Sequence, residues 1–249
     1  MRKTAQQRRE SLKKGVYILP NLVTTGSLFA GFYGIVSSMD GRYDVAAWFI
    51  LISAVFDTLD GKIARMTNTT SQFGIEYDSL ADLVAFGVAP AILMYSWALQ
   101  PFGKFGWLAA FLYVVCGALR LARFNVHVEV VDSKYFIGLP IPAAASMVAA
   151  CVLLFYYLGG AGTIRMVSVL VLIYVLAVLM VSNVSYYSFK DPELLKQRPF
   201  GMLVLAVVLT IVIVAQPELM FFLIFLTYTM VSPVLALMAY LRRRREEKV

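Results

Sequence analysis

The chain has 249 residues, a formal net charge of +7 and only two cysteines, and 60% of its residues are hydrophobic while 15% are charged. Soluble domains average about 45–50% apolar and about 25% charged residues. This composition excludes a soluble enzyme, a disordered chain and a secreted disulfide scaffold. It predicts an all-α polytopic transmembrane helix bundle.

Apolar segments of about 20 residues predict the membrane spans of this bundle. In chain order, candidate spans lie near residues 19–39, 44–66, 79–100, 105–124, 138–158, 163–187, 201–216 and 218–241. The seventh is short for a full crossing, and Pro217 breaks the chain before the eighth. We expect about eight spans: a six-helix core at 19–187, then an inner loop and two further spans at 188–241.

Basic residues predict which ends of the spans face the cytoplasm. With both termini inside, only Arg42, Lys104 and Arg165 of the 22 lysines and arginines fall in outer loops. Residues 1–18 form a basic N-terminal segment, either an interfacial helix or only a topology signal, and residues 242–249 form a basic tail. Since this charge lies beside anionic lipid, we expect no nucleic-acid partner.

Four aspartates stand out because acids within a membrane are costly and are usually functional. Asp57 and Asp60 share one helix face, and Asp78 and Asp82 share a face of the next helix. A short loop joins these helices, so the carboxylates should converge at one end of the bundle. Carboxylates without His or Cys suit two divalent cations, Mg²⁺ or Mn²⁺. The alternative is a set of helix-end acids that reach water and pair with Arg65.

The aspartates belong to a longer pattern, Asp57-x-x-Asp60-Gly61-x-x-Ala64-Arg65, eight residues, then Gly74-x-x-x-Asp78-x-x-x-Asp82. This pattern resembles the signature of the CDP-alcohol phosphotransferase family, with every fixed position filled. The resemblance implies a six-span membrane enzyme that transfers a phosphorylated group from a CDP-linked substrate to a hydroxyl and releases CMP. It also implies a homodimer.

The resemblance implies a role for each matched residue. Asp57, Asp60 and Asp78 would bind metal, and Asp82 would bind the second metal and act as the general base. The nucleotide would lie against Gly61, Ala64, Arg65 and Gly74, to which we add Asn21 and Thr24. Asn21 and Thr24 could instead only cap the first span. From spacing alone, close helix packing explains Gly61 and Ala64 equally well.

Flanking stretches narrow the acceptor. Residues 20–24, 79–90, 116–125 and 136–143 resemble the serine-accepting branch of the family, of the bacterial and archaeal integral-membrane type. This implies CDP-diacylglycerol and L-serine as substrates, in the inner (cytoplasmic) membrane, with the active site at the cytoplasmic face. The residues expected to bind serine are Arg120, Arg123, Asn125 and Lys134. Arginine suits carboxylate recognition, although helix-end arginines also anchor in lipid head groups.

Two other kinds of function use the same residues. The acceptor could be inositol phosphate, glycerol phosphate or choline, with the chemistry unchanged. A cation-coupled transporter could use the same aspartates, but no acid is buried in the outer half of any predicted span. A catalytically silent scaffold would leave the complete aspartate set unexplained.

Overall fold

The computed structural model of the protein describes residues 5–67, 71–127, 135–187 and 214–246. The α-helices within these ranges are α1 (Ala5–Met39), α2 (Tyr43–Thr67), α3 (Gln72–Asp82), α4 (Ala89–Met94), α5 (Lys104–His127), α6 (Ile141–Tyr157), α7 (Val167–Val181) and α8 (Pro217–Glu246). The predicted inner loop and nearly all of the predicted seventh span, 201–216, lie outside the described residues.

The all-α membrane class is confirmed. Within the described ranges, four stretches are long and apolar enough to cross a membrane: Leu19–Met39, Gln72–Phe102, Lys104–Val126 and Pro217–Ala236. Helices α6 and α7 are equally apolar but shorter, and α2 is as long but carries the first two aspartates. The number of spans and the side of the termini stay predictions.

The third predicted span, 79–100, begins earlier in the structure, at Gln72. Ser71 is the N-cap residue, and its Oγ accepts a hydrogen bond from the backbone N–H of Gly74 at 3.0 Å. The first turns of α3 are polar, so a search of the sequence for apolar segments places the start of the span too late. Because of this earlier start, Asp78 lies inside the helix and near its beginning.

Helix α3 continues into α4 through a π-helical turn, Leu83–Val88, and the same continuous helix extends through a second π turn to Phe102. A π turn is wider than an α turn, because its hydrogen bonds join residues five positions apart instead of four. Here the hydroxyl of the fully buried Tyr113 donates to the carbonyl of Phe86 at 3.2 Å. This hydrogen bond joins α5 to the first π turn.

Small residues allow the helices to approach closely. Helix α1 packs along α2, where the buried hydroxyls of Ser27 and Ser53 lie 2.8 Å apart. Gly31 of α1 faces the π turn, where an added Cβ would lie 2.5 Å from the Cα of Ala85. In the same bundle α6 packs against α2 and α8, while α5 packs against α7. This pattern is typical of membrane helix interfaces.

A two-stranded antiparallel sheet, absent from the all-α prediction, joins β1 (Tyr135–Ile137) to β2 (Ser185–Tyr187). The predicted sixth span, 163–187, is therefore wrong at its end, because α7 stops at Val181 and the chain becomes extended. Gly138, with φ of +79°, turns the chain after β1 and donates its N–H to the carbonyl of Val184 at 2.8 Å. The sheet links the start of α6 to the end of α7.

Candidate active site

The four aspartates converge where α2 ends and α3 begins. One carboxylate oxygen from each of Asp57, Asp60 and Asp78 lies within 4.8 Å of the other two. The carboxyl group of Asp82 lies close to that of Asp57. The antiparallel arrangement of two consecutive helices therefore gathers carboxylates that are up to 25 positions apart in the sequence (57 to 82).

Helix α1 supports this cluster from the side. The hydroxyl of Thr25 lies 2.9 Å from that of Tyr77, so α1 is tied to the helix that carries the later aspartates. Thr24 is buried; its hydroxyl donates to the carbonyl of Pro20 at 3.1 Å and also lies within hydrogen-bonding reach of Asp60. The structure thus places Thr24 against a carboxylate as well as beside the nucleotide region predicted for it.

The cluster is short of compensating positive charge. Asp60 is only 4% exposed, and its Oδ2 has no hydrogen-bond partner in the described part of the chain. Arg65 does not pair with these acids among the described residues; its Nε donates instead to the carbonyl of Gly61 at 3.0 Å. Four carboxylates this close repel one another unless protons or cations lie between them.

These residues fit a divalent cation. Three oxygens lie close enough to share one ion, and the donor set contains carboxylates alone, which suits Mg²⁺ or Mn²⁺. The unpartnered Oδ2 of Asp60 offers a free ligand atom. The Asp57–Asp82 contact needs a proton or a cation to offset two negative charges.

An open cleft of about 150 Å³ adjoins the aspartates. Residues from α1, α2 and α3 line it, and five of the six predicted nucleotide residues are among them: Asn21, Thr24, Gly61, Ala64 and Gly74. Arg65 is the sixth; it is exposed and is not part of the lining. The cleft also contains Asp60 and Asp78, so a molecule in the cleft would touch the metal-binding candidates directly.

The two glycines of this cleft differ in what surrounds them. An added Cβ at Gly61 would meet nothing within 4 Å, so helix packing does not require glycine there. An added Cβ at Gly74 would lie 3.2 Å from Ser71 Oγ and 3.5 Å from Asn21 Oδ1. Gly61 therefore leaves room for a ligand, whereas Gly74 lets the chain turn tightly at the start of α3.

Arg120 is a predicted acceptor residue that is buried within the bundle. It is 7% exposed, and its Nε has no hydrogen-bond partner among the described residues. Its guanidinium interacts electrostatically with Asp82 and with Tyr228 of α8. A buried guanidinium with an unused donor, beside the proposed general base, is suited to hold an anionic group of a substrate.

The other predicted acceptor residues have different surroundings. Arg123 donates from its terminal nitrogens to the carbonyls of Val181, Ser182 and Ile137, at 3.2 to 3.4 Å, and to Asn183 Oδ1 at 3.3 Å. Its guanidinium therefore holds the end of α7 and the sheet against α5. Asn125 donates from Nδ2 to Ser79 Oγ at 2.9 Å, which ties α5 to α3. Lys134 lies outside the described residues.

Two residues near the site were not predicted from the sequence. Tyr77 precedes Asp78 and contacts α1, and its place beside the aspartate motif was the available signal. Tyr228 lies in the last helix, about 108 positions after Arg120 (120 to 228), and no sequence pattern links the two. Only the packing of α8 against the core brings Tyr228 to the site.

Comparison with known proteins agrees with this geometry. The family model for CDP-alcohol phosphatidyltransferases matches residues 17–181, and the chain belongs to this family of membrane transferases. The resemblance inferred from the aspartate motif is confirmed.

Relatives with serine in their names support the predicted branch. A Helicobacter pylori protein named CDP-diacylglycerol–serine O-phosphatidyltransferase is 46% identical over 178 residues, 70% of this chain and 74% of the relative. The archaetidylserine synthase of Methanothermobacter thermautotrophicus is 39% identical over 170 residues, 68% of this chain and 69% of the relative. A Saccharomyces cerevisiae protein with the first name is 39% identical over 159 residues, 58% of this chain and 56% of the relative.

Proposed function

We propose that this chain transfers the phosphatidyl group of CDP-diacylglycerol to the hydroxyl of L-serine, giving phosphatidylserine and CMP. The observation that carries the proposal is the cluster of carboxylates beside an open cleft, with oxygens of Asp57, Asp60 and Asp78 within 4.8 Å of one another. Arg120 is buried and lies within electrostatic range of Asp82. The names of the relatives support serine as the acceptor. We place the site at the cytoplasmic face of a bacterial or archaeal inner membrane, where serine arrives from water, while the CDP group of the donor lies at the membrane surface and its acyl chains stay in lipid.

The cleft beside the aspartates is the proposed donor site. Gly61 and Ala64 leave room for the nucleotide against α2, and Asn21 and Gly74 form the opposite wall. Arg65 is exposed next to the cleft and can reach the nucleotide from solvent. Two divalent cations, Mg²⁺ or Mn²⁺, held by Asp57, Asp60, Asp78 and Asp82, would supply positive charge that neutralises the diphosphate and the leaving CMP.

Asp82 is the proposed general base. It takes the proton of the serine hydroxyl while the serine oxygen forms a bond to the lipid phosphorus, and the bond between that phosphorus and the CMP oxygen breaks. The serine oxygen attacks directly, because no separate nucleophile with its own base lies among the described residues of the cleft. Catalysis of this type depends mainly on positioning and electrostatics.

Arg120 is the proposed ligand of the serine carboxylate. A guanidinium binds a carboxylate through two parallel N–H donors, which orients the acceptor as well as holding it. Arg120 also lies within electrostatic range of Asp82, and we infer that serine held by the arginine presents its hydroxyl to that base. Arg123 and Asn125 would act on the acceptor by fixing the end of α5, and Lys134 stays a predicted contact. A homodimer stays a prediction as well.

The test is CMP release from CDP-diacylglycerol by purified protein in detergent, with Mn²⁺, Mg²⁺ or EDTA. Serine, inositol, inositol phosphate, glycerol phosphate and choline are offered in parallel. We expect metal-dependent release with serine alone. Release with a different acceptor would refute the serine assignment and retain the aspartate mechanism. No release with any acceptor, in protein shown to be folded, would refute the transferase and return attention to transport.

A further inference from the structure

A pair of hydroxyl groups joins two walls of the cleft beside the aspartates. Thr24 of α1 and Asp78 of α3 both line this cleft. Their chain neighbours Thr25 and Tyr77 lie outside the lining, and the hydroxyl oxygens of these two residues are 2.9 Å apart. The contact therefore lies just beside the cleft, where α1 packs against α3. It is in a position to set the separation of the two walls.

The surrounding hydrogen bonds fix the direction of this one. The hydroxyl of Thr25 donates to the carbonyl of Asn21, four residues earlier, at 2.7 Å. A hydroxyl has one proton to donate, so the phenol of Tyr77 is the donor to Thr25 Oγ1. Two hydrogen bonds in series thus run from Tyr77 through Thr25 to the backbone of Asn21, which lines the cleft.

These bonds reach α1 where its own backbone bonding is incomplete. Pro20 lies inside α1 and has no backbone N–H, so a carbonyl of the preceding turn loses its helical partner. The hydroxyl of Thr24 also donates to the carbonyl of Pro20 at 3.1 Å, and a bond of this kind often bends a helix. The hydrogen bond from Tyr77 therefore holds the turn of α1 that carries Asn21.

The ring of Tyr77 is itself held in place. It stacks on the ring of Phe73, one turn earlier in α3, with centroids 5.9 Å apart and planes at 12° to each other. One turn away along the same interface, Asn21 Oδ1 lies 3.5 Å from the position that a Cβ would take at Gly74. The two helices thus approach each other at two successive turns, and a hydrogen bond holds the second.

We propose that Tyr77 is a positioning residue for the donor site, which it serves by fixing α1 through Thr25. The inference rests on the proposed function, since it takes the cleft as the site of the CDP group. With the hydrogen bond in place, the wall formed by α1 stays at the separation from α3 that fits the nucleotide. Without it, the donor must order that wall when it binds, and its affinity falls. Arg120 lies on α5, which takes no part in this contact, so the acceptor is unaffected.

The test compares steady-state kinetics of the wild type and Tyr77→Phe, with CMP release as the readout. The variant keeps the ring that stacks on Phe73 and loses only the hydroxyl. Because a hydrogen bond between membrane helices contributes modestly, we expect the KM for CDP-diacylglycerol to rise about three- to tenfold and the KM for serine to stay the same. The matched control is Tyr174→Phe. It removes a hydroxyl hydrogen bond between α7 and α5, 3.2 Å to the carbonyl of Phe105, and should keep both KM values.

Variants of Thr25 separate positioning from direct contact with the donor. Thr25→Val removes the acceptor of the phenol and should raise the donor KM at least as much as Tyr77→Phe does. In the Thr25→Val background, Tyr77→Phe should cause no further change, because the bond that it removes is already gone. A further rise of about three- to tenfold there would mean that Tyr77 touches the donor itself, and would overturn the positioning role.

A conservative variant tests whether the hydroxyl of Thr25 is the group that matters. Thr25→Ser keeps both hydrogen bonds and should have the donor KM of the wild type. A donor KM raised as much in Thr25→Ser as in Thr25→Val would overturn the inference. If Tyr77→Phe does not fold, the comparison of these two variants decides in the same way.

The remaining outcomes also decide the matter. An unchanged donor KM in Tyr77→Phe overturns the inference, even if the thermal midpoint falls, and so does an equal rise in the KM values of both substrates. If the wild type releases CMP only with another acceptor, the serine assignment fails, and the donor KM measured with that acceptor decides the role of Tyr77. A folded wild type that releases no CMP at all overturns both proposals.

Discussion

Replacement of Asp82 by asparagine tests the proposed base with the smallest change of shape. Asp82 is 9% exposed, and its carboxyl group lies close to that of Asp57. An asparagine amide can donate to that neighbouring carboxylate, so the local packing is retained. The change also removes one of four negative charges that repel one another, so the thermal midpoint should be no lower than in the wild type.

The expected loss of activity follows from the role of the base. General-base catalysis contributes about 10²- to 10⁴-fold to a rate, which corresponds to about 3–5 kcal/mol of activation free energy. We expect kcat to fall by that factor in Asp82→Asn. Binding of CDP-diacylglycerol should be retained, because Asp82 is not among the residues that line the cleft and the other three aspartates remain to hold metal.

The assay measures CMP release and donor binding on the same preparations. The matched control is Asp44→Asn, an exposed residue in the first turn of α2 and so at the opposite end of that helix. This control should keep wild-type kinetics, since exposed substitutions away from such features usually change stability by less than about 0.5 kcal/mol. If Asp82→Asn keeps kcat within about tenfold of the wild type, below the range given for a general base, Asp82 is not the base.

Three further predictions concern the arginines, a glycine and the metal. Arg120→Ala should raise the serine KM by about 10- to 100-fold, through lost charged hydrogen bonds, and leave the donor KM unchanged. Arg123→Ala should instead lower the free energy of unfolding by about 2 kcal/mol. A stability loss in the first variant and a raised serine KM in the second would contradict both roles. Gly31→Ala should destabilise the protein by about 1–3 kcal/mol through the clash with Ala85, and an unchanged unfolding midpoint would count against that close contact. Mn²⁺ should raise the thermal midpoint of the wild type and not that of Asp60→Asn, and equal shifts in the two proteins would place the ion elsewhere.

Much of the donor side could be predicted from the sequence. The spacing within each aspartate pair fixes a helix face, and the short connection between the helices brings the two faces together. Such local information suffices for Asp57, Asp60 and Asp78, whose oxygens do converge. The cleft residues Gly61 and Gly74 follow from the same two helices.

The acceptor side depends on contacts that a local pattern does not contain. Arg120 and Arg123 are three positions apart and look alike in the sequence. Arg120 is buried, and its Nε has no partner among the described residues. The guanidinium of Arg123 instead donates to carbonyls at the end of α7. The difference arises from helix packing and from the sheet. Strands of three residues, separated by 48 positions (137 to 185), carry too little periodicity to be predicted.

The sheet between β1 and β2 also has a consequence for the order in which the protein forms. Strand β1 emerges from the ribosome before α6 and α7, but its partner Ser185–Tyr187 emerges after both. The strands can therefore pair only after both α6 and α7 have been made. Three of the four partners of Arg123, at positions 181–183, are likewise made only after α6. The acceptor half of the enzyme thus matures later in synthesis than the aspartate half, which is complete once α3 has been made.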